Sequence, residues 1–139
     1  MIVADTSGLL AAFGQDALRH ERARLAYESD PGPVILSPFV LAELDYLLLH
    51  RAGVKAELQL LGEVSAGVYE LAEFTRHDLG QAAAICERYS DMKIGVADAS
   101  IVVLAARYRT TRLLTFDERH FRAIKPLHGQ AFTLLPADS

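Results

Sequence analysis

Met1-Ile2-Val3-Ala4-Asp5-Thr6-Ser7-Gly8 opens the chain, and its order of residue types decides the architecture. Met1 to Ala4 form an apolar run too short for a helix and without polar alternation. It suits a strand buried on both faces, the kind found in parallel sheets covered by helices. A carboxylate and two hydroxyls follow where the chain must leave the sheet. Val34-Ile35-Leu36, the weaker Val68-Tyr69-Glu70-Leu71, Leu113-Leu114-Thr115 and Phe132-Thr133-Leu134-Leu135 repeat the pattern of short apolar runs.

Helical signals separate these runs. Residues from about Asp16 to Ser29 carry charges along one side. Ser37-Pro38 reads as an N-cap followed by proline at the first helical position, opening a helix to about His50, with Gly53 as its stop. Residues 54–65 read as a further helix. Thr75 with Asp78 three residues on forms a capping box that opens a helix to about Tyr89. Ala97, Ile101, Leu104, Ala105 and Tyr108 draw a helical stripe. Strands alternating with helices imply an α/β layered fold with a mainly parallel sheet.

The 139 residues, 51% apolar and 23% charged, suit one domain, residues 1–139. The single Cys86 excludes an internal disulfide and agrees with a reducing compartment. No apolar run is long enough to span a membrane, which needs about 18 residues. Asp5 follows Met1 too closely for a signal peptide, so the cytoplasm is the expected setting. The net charge of −4 is unevenly spread: residues 1–98 carry −7 and residues 99–139 carry +3. Arg107, Arg109, Arg112, Arg119, Arg122 and Lys125 are thus candidates for a basic border around an acidic centre.

That centre is read from carboxylates at element ends. Asp5 follows the first strand and Asp117 the fourth; ligands of open α/β sheets bind outside the carboxyl ends of strands. Helix capping is the competing role for either acid. Glu43 lies on a helix face with Phe39, Tyr46, Leu47 and His50, where either a cation neutralises it or it emerges at the helix edge. Asp98 opens an almost wholly apolar helix, so burial is expected there too. Acids crowded in one low-dielectric cleft repel one another unless a divalent cation joins them. An all-oxygen donor set selects Mg²⁺ or Mn²⁺ over Zn²⁺, and the five histidines show no paired metal spacing. Such a site suits phosphodiester hydrolysis. Thr6, Ser7 and Thr115 are the supporting hydroxyls, and Asp91 is read as a solvated loop residue.

Val3-Ala4-Asp5-Thr6-Ser7-Gly8-Leu9-Leu10, Val40-Leu41-Ala42-Glu43-Leu44, Ala97-Asp98-Ala99-Ser100-Ile101-Val102 and Leu114-Thr115-Phe116-Asp117-Glu118-Arg119-His120-Phe121, in this order, resemble the PIN domain, specifically the VapC type of toxin ribonuclease. The likeness covers nearly the whole chain. It implies a three-layer α/β/α sandwich with a parallel sheet in the order 3-2-1-4-5, which would bring Asp5 beside Asp117. It implies that Asp5, Glu43, Asp98 and Asp117 are the catalytic, metal-holding acids, with Thr115 at the family's hydroxyl position. It further implies Mg²⁺ or Mn²⁺ as cofactor, structured RNA such as tRNA or rRNA as substrate, a VapB-type antitoxin as partner, and a homodimer. His120 departs from the pattern, standing where relatives often carry an acid, and is placed outside the acidic set. An RNA-processing nuclease that is not a toxin is the nearest alternative, and a non-cleaving RNA- or protein-binding module is a second. A receiver-type phosphoacceptor fails because Asp5 is followed by Thr6 rather than a second acid.

Overall fold

The computed structural model describes residues 1–14 and 17–139. In chain order the elements are β1 (Ile2–Ala4), α1 (Thr6–Phe13), α2 (Ala17–Ser29), β2 (Val34–Leu36), α3 (Pro38–Ala52), α4 (Val54–Ser65), β3 (Glu70–Leu71), α5 (Arg76–Arg88), a 3₁₀ turn (Ser90–Met92), α6 (Val96–Arg107), β4 (Arg112–Leu114), α7 (Glu118–Ala123) and β5 (Thr133–Leu135). The expected start of the second helix at Asp16 lies outside the described residues.

All strand pairs are parallel, in the order β3-β2-β1-β4-β5. The chain builds outward from β1 to β3 on one side and then returns to β1's other side with β4. The order therefore reverses between β1 and β4, where open α/β sheets form their clefts. Every side chain of β1 and β2 is buried, as a sheet covered by helices on both faces requires.

Local signals set most helix ends. Ser37 Oγ accepts from the Phe39 amide with Pro38 at the first helical position, and Gly53 closes α3 at φ +96°, a conformation side chains disfavour. Thr75 and Asp78 complete the capping box of α5, and Arg107 of α6 reaches back to Asp78 at 2.5 Å and to the Glu73 carbonyl at 2.6 Å. The short α7 escaped the pattern reading. Phe121 anchors it in the core, edge-on to Phe132 at 6.2 Å between ring centroids.

One contact decides how α1 meets the sheet. A β-carbon on Gly8 would stand 2.3 Å from the Leu114 carbonyl oxygen and 2.7 Å from its carbon. The helix therefore lies against the end of β4 at a distance that only glycine permits. Gly8→Ala should destabilise the protein by more than about 2 kcal/mol, because backbone rather than a flexible side chain must move. Gly62, mid-helix in α4 with nothing near its missing β-carbon, is the control. Gly62→Ala should stabilise by about 0.5–1 kcal/mol. Urea titration of both variants checks the pair.

Candidate active site

The site forms where β1 and β4 end side by side. The Asp5 amide donates to the Leu114 carbonyl at 2.9 Å. Asp5 stands at the N-cap position of α1, yet its side chain makes no capping bond. It turns toward β4 instead, where Oδ2 accepts from Thr115 Oγ1 at 2.8 Å and from Ser7 Oγ at 2.9 Å. The two hydroxyls stand 3.2 Å apart. Each is held in turn by backbone: the Phe116 amide donates to Ser7 Oγ and the Asp117 amide to Thr115 Oγ1, both at 2.9 Å. Asp5 is 5% exposed, and this burial, partly offset by the two hydroxyls, pushes its carboxyl above the usual range.

Asp117 takes the role that Asp5 declines. Its Oδ1 accepts from the His120 amide at 3.1 Å and caps α7. Its Oδ2 lies 3.0 Å from His120 Nδ1. Asp98, in the first turn of α6, places Oδ2 2.9 Å from the same nitrogen. The ligand atoms of Asp98, Asp117 and His120 all lie within 4.8 Å of one another. Asp98 is half-buried, its side chain 17% exposed. Desolvation first, and the nearby Asp5 second, raise its pKa to about 6 against the pull of His120.

Three of the four expected acids thus converge. Glu43 does not join them in the way expected. It is exposed and makes no hydrogen bond or ion pair with a described residue. The buried stripe of α3 is Val40, Leu44 and Leu48, which leaves Glu43 on the flank; Tyr46 and His50 of its own face are exposed as well. Thr6 is buried, its hydroxyl unpartnered among the described residues, while Ser7 and Thr115 clasp Asp5. Asp91 is exposed, as expected.

His120, expected outside the acidic set, lies within it. The signal was available: an N-cap acid and the residue three positions on face each other across a helix start.

The basic border is also redrawn. Arg107 pairs with Asp78, Arg112 with Asp30 at 2.9 Å, and Arg122 with Glu118 and Asp138. Arg109, Arg119 and Lys125 remain exposed without an ion pair among the described residues. Two further cations come from the acidic part of the chain. Arg19, set 5.0 Å over the Phe116 ring, and Arg51 line a groove of about 340 Å³ that begins at Ser7 and runs past Leu10, Phe13 and Leu48.

The donor set fits a divalent cation. Two carboxylates and an imidazole gather at ligand spacing, and a third carboxylate raises the charging cost of Asp98. The same repulsion fixes a sign. A carboxyl whose folded pKa of about 6 exceeds its ordinary 3.8 destabilises the metal-free fold when ionised, fully above pH 6 and not at all below about pH 4. Asp98→Asn should therefore raise metal-free stability by about 1–3 kcal/mol at pH 8. The gain should vanish toward pH 4, which denaturant melts of both proteins across that range would show.

Residues 2–126 match the PIN domain family. Over 135 residues the chain is 45% identical to ribonuclease VapC26 of Mycobacterium tuberculosis, covering 97% of this chain and 100% of that relative. The crystal structure of Mycobacterium tuberculosis VapC20, described as a sarcin–ricin loop cleaving toxin, superposes with a TM-score of 0.77 at 25% identity, over 84% of this chain and 90% of the other. A toxin–antitoxin complex from Klebsiella pneumoniae shares the fold, with a TM-score of 0.69 at 20% identity over 89% and 92% of the two chains. With its sheet order, its clustered acids and these relatives, the chain belongs to the PIN domain family, on its VapC side.

Proposed function

We propose that this protein is a Mg²⁺- or Mn²⁺-dependent endoribonuclease and the toxin of a toxin–antitoxin pair. The observation that carries the reading is the convergence of Asp5, Asp98 and Asp117, distant in sequence, at the point where strand order reverses. Asp5, Asp98 and Asp117 would hold the ion, with Glu43 as a fourth acid on the strength of the family resemblance. The bound ion would supply Lewis-acid polarisation of the phosphate and activation of water for in-line attack.

The chain's own residues do the rest. Ser7 and Thr115 fix one oxygen of Asp5 and leave the other for a ligand. The capping bond to the His120 amide orients Asp117. Arg19, Arg51 and Arg119 offer positive charge to an RNA backbone around the acids. Structured RNA, transfer or ribosomal, is the proposed substrate class, in line with the ribosomal loop named for VapC20. A VapB-type antitoxin and a second copy of this chain are the proposed partners. In support, α4 exposes Val54, Leu58 and Leu61 at the spacing of a single helix face. The cytoplasm is the compartment that this substrate implies.

The test is cleavage of total RNA by the purified protein with Mg²⁺, Mn²⁺ or EDTA. Discrete fragments should appear only with metal. Thr115→Val should slow cleavage by about 10–100-fold, as loss of a ligand-orienting bond does. Asp5→Asn should cost at least as much. Cleavage that survives EDTA, or a fully active Asp5→Asn protein, would sink the proposal.

A further inference from the structure

We infer that His120 is itself a ligand of the ion, through Nδ1, and that the resulting mixed nitrogen–oxygen donor set makes the site prefer Mn²⁺ to Mg²⁺. The inference rests on the metal-dependent reading above and adds a ligand to it.

The helix start places the ring. His120 is the third residue of α7, and side chains at that position fold back over the N-cap residue, here Asp117. The bond that caps the helix, from the His120 amide to Asp117 Oδ1, also brings Nδ1 to 3.0 Å from Asp117 Oδ2. Asp98 reaches the same nitrogen at 2.9 Å from α6. Two carboxylates therefore converge on one ring nitrogen. A proton there can be donated in a straight hydrogen bond to only one of them, and the other faces the same atom without a hydrogen of its own. A cation among the three atoms serves both.

The distances suit that cation. Neighbouring ligands on an octahedral ion with bonds of about 2.1 Å lie about 3.0 Å apart. Both His120–carboxylate spacings have this length. With the ring proton on Nε2, Nδ1 presents a lone pair toward the two carboxylates.

Chemistry then sets the preference. Carboxylates suit Mg²⁺ and Mn²⁺ alike, whereas imidazole favours transition ions. Adding one nitrogen to an acidic site shifts it from Mg²⁺ toward Mn²⁺. A histidine acting only from outside would hydrogen-bond Asp98 and leave the ion with oxygen ligands alone. The two arrangements differ in whether nitrogen touches the metal.

Pulsed electron paramagnetic resonance of the wild-type protein loaded with MnCl₂ reads that difference without RNA. The expected spectrum carries the nitrogen-14 coupling of a directly bound imidazole, lost in both His120→Ala and His120→Gln. Calorimetric titration should show wild type binding MnCl₂ more tightly than MgCl₂, a preference that falls by about tenfold in either variant. Circular dichroism checks that the variants fold, and the wild-type spectrum decides even if they do not. Bound Mn²⁺ without nitrogen coupling overturns this inference and leaves the nuclease reading standing. Coupling that persists in a folded variant overturns it as well. A wild-type protein that binds no Mn²⁺ overturns both.

Discussion

The tightest approach at any glycine is that of Gly8 to the Leu114 carbonyl, where a β-carbon would stand 2.3 Å from the oxygen. Because α1 lies directly on the end of β4, the first turn of the helix and the first residues beyond the strand share hydrogen bonds. Ser7 holds the Phe116 amide, Thr115 holds the Asp117 amide, and both hydroxyls hold Asp5. A larger residue at position 8 would push helix and strand apart and loosen every bond in that set. The positions of Asp5 and Asp117 are thus inherited from backbone packing rather than from contacts among the acids.

Five aspartates fall into two groups. Asp30 and Asp78 meet cations and backbone amides, and their acidity is strengthened. Asp138, clasped by Arg122, is pulled down to about 2. Asp5 and Asp98 are desolvated beside one another and pushed the other way. The first group holds the fold together. The second costs the fold stability when ionised.

Sequence patterns carried the parts of this architecture whose causes are local. Ile2-Val3-Ala4 and Val34-Ile35-Leu36 read as buried strands because nothing polar interrupts them, and Thr75 with Asp78 read as a cap because the partners are three residues apart. Asp5 and Asp117 were legible as strand-end acids for the same reason. What escaped depends on distant partners. Arg112 looks like a free cation until Asp30, from the other half of the chain, reaches it. Glu43 looks buried until the stripe Val40, Leu44 and Leu48 is seen to claim the inward face of α3. The six residues of α7 are too few for a periodic signal, and only the three-residue spacing of Asp117 and His120 marks its start.

β1 pairs with β2 on one side and on the other with β4, about a hundred residues later. A ribosome adding roughly 5–20 residues per second needs on the order of 5–22 s to make the stretch between them. Until β4 follows, Asp5 has no Thr115 to clasp it and no Asp117 beside it. The pocket around Asp5 is therefore assembled late, when β4 docks against a strand made about a hundred residues before it.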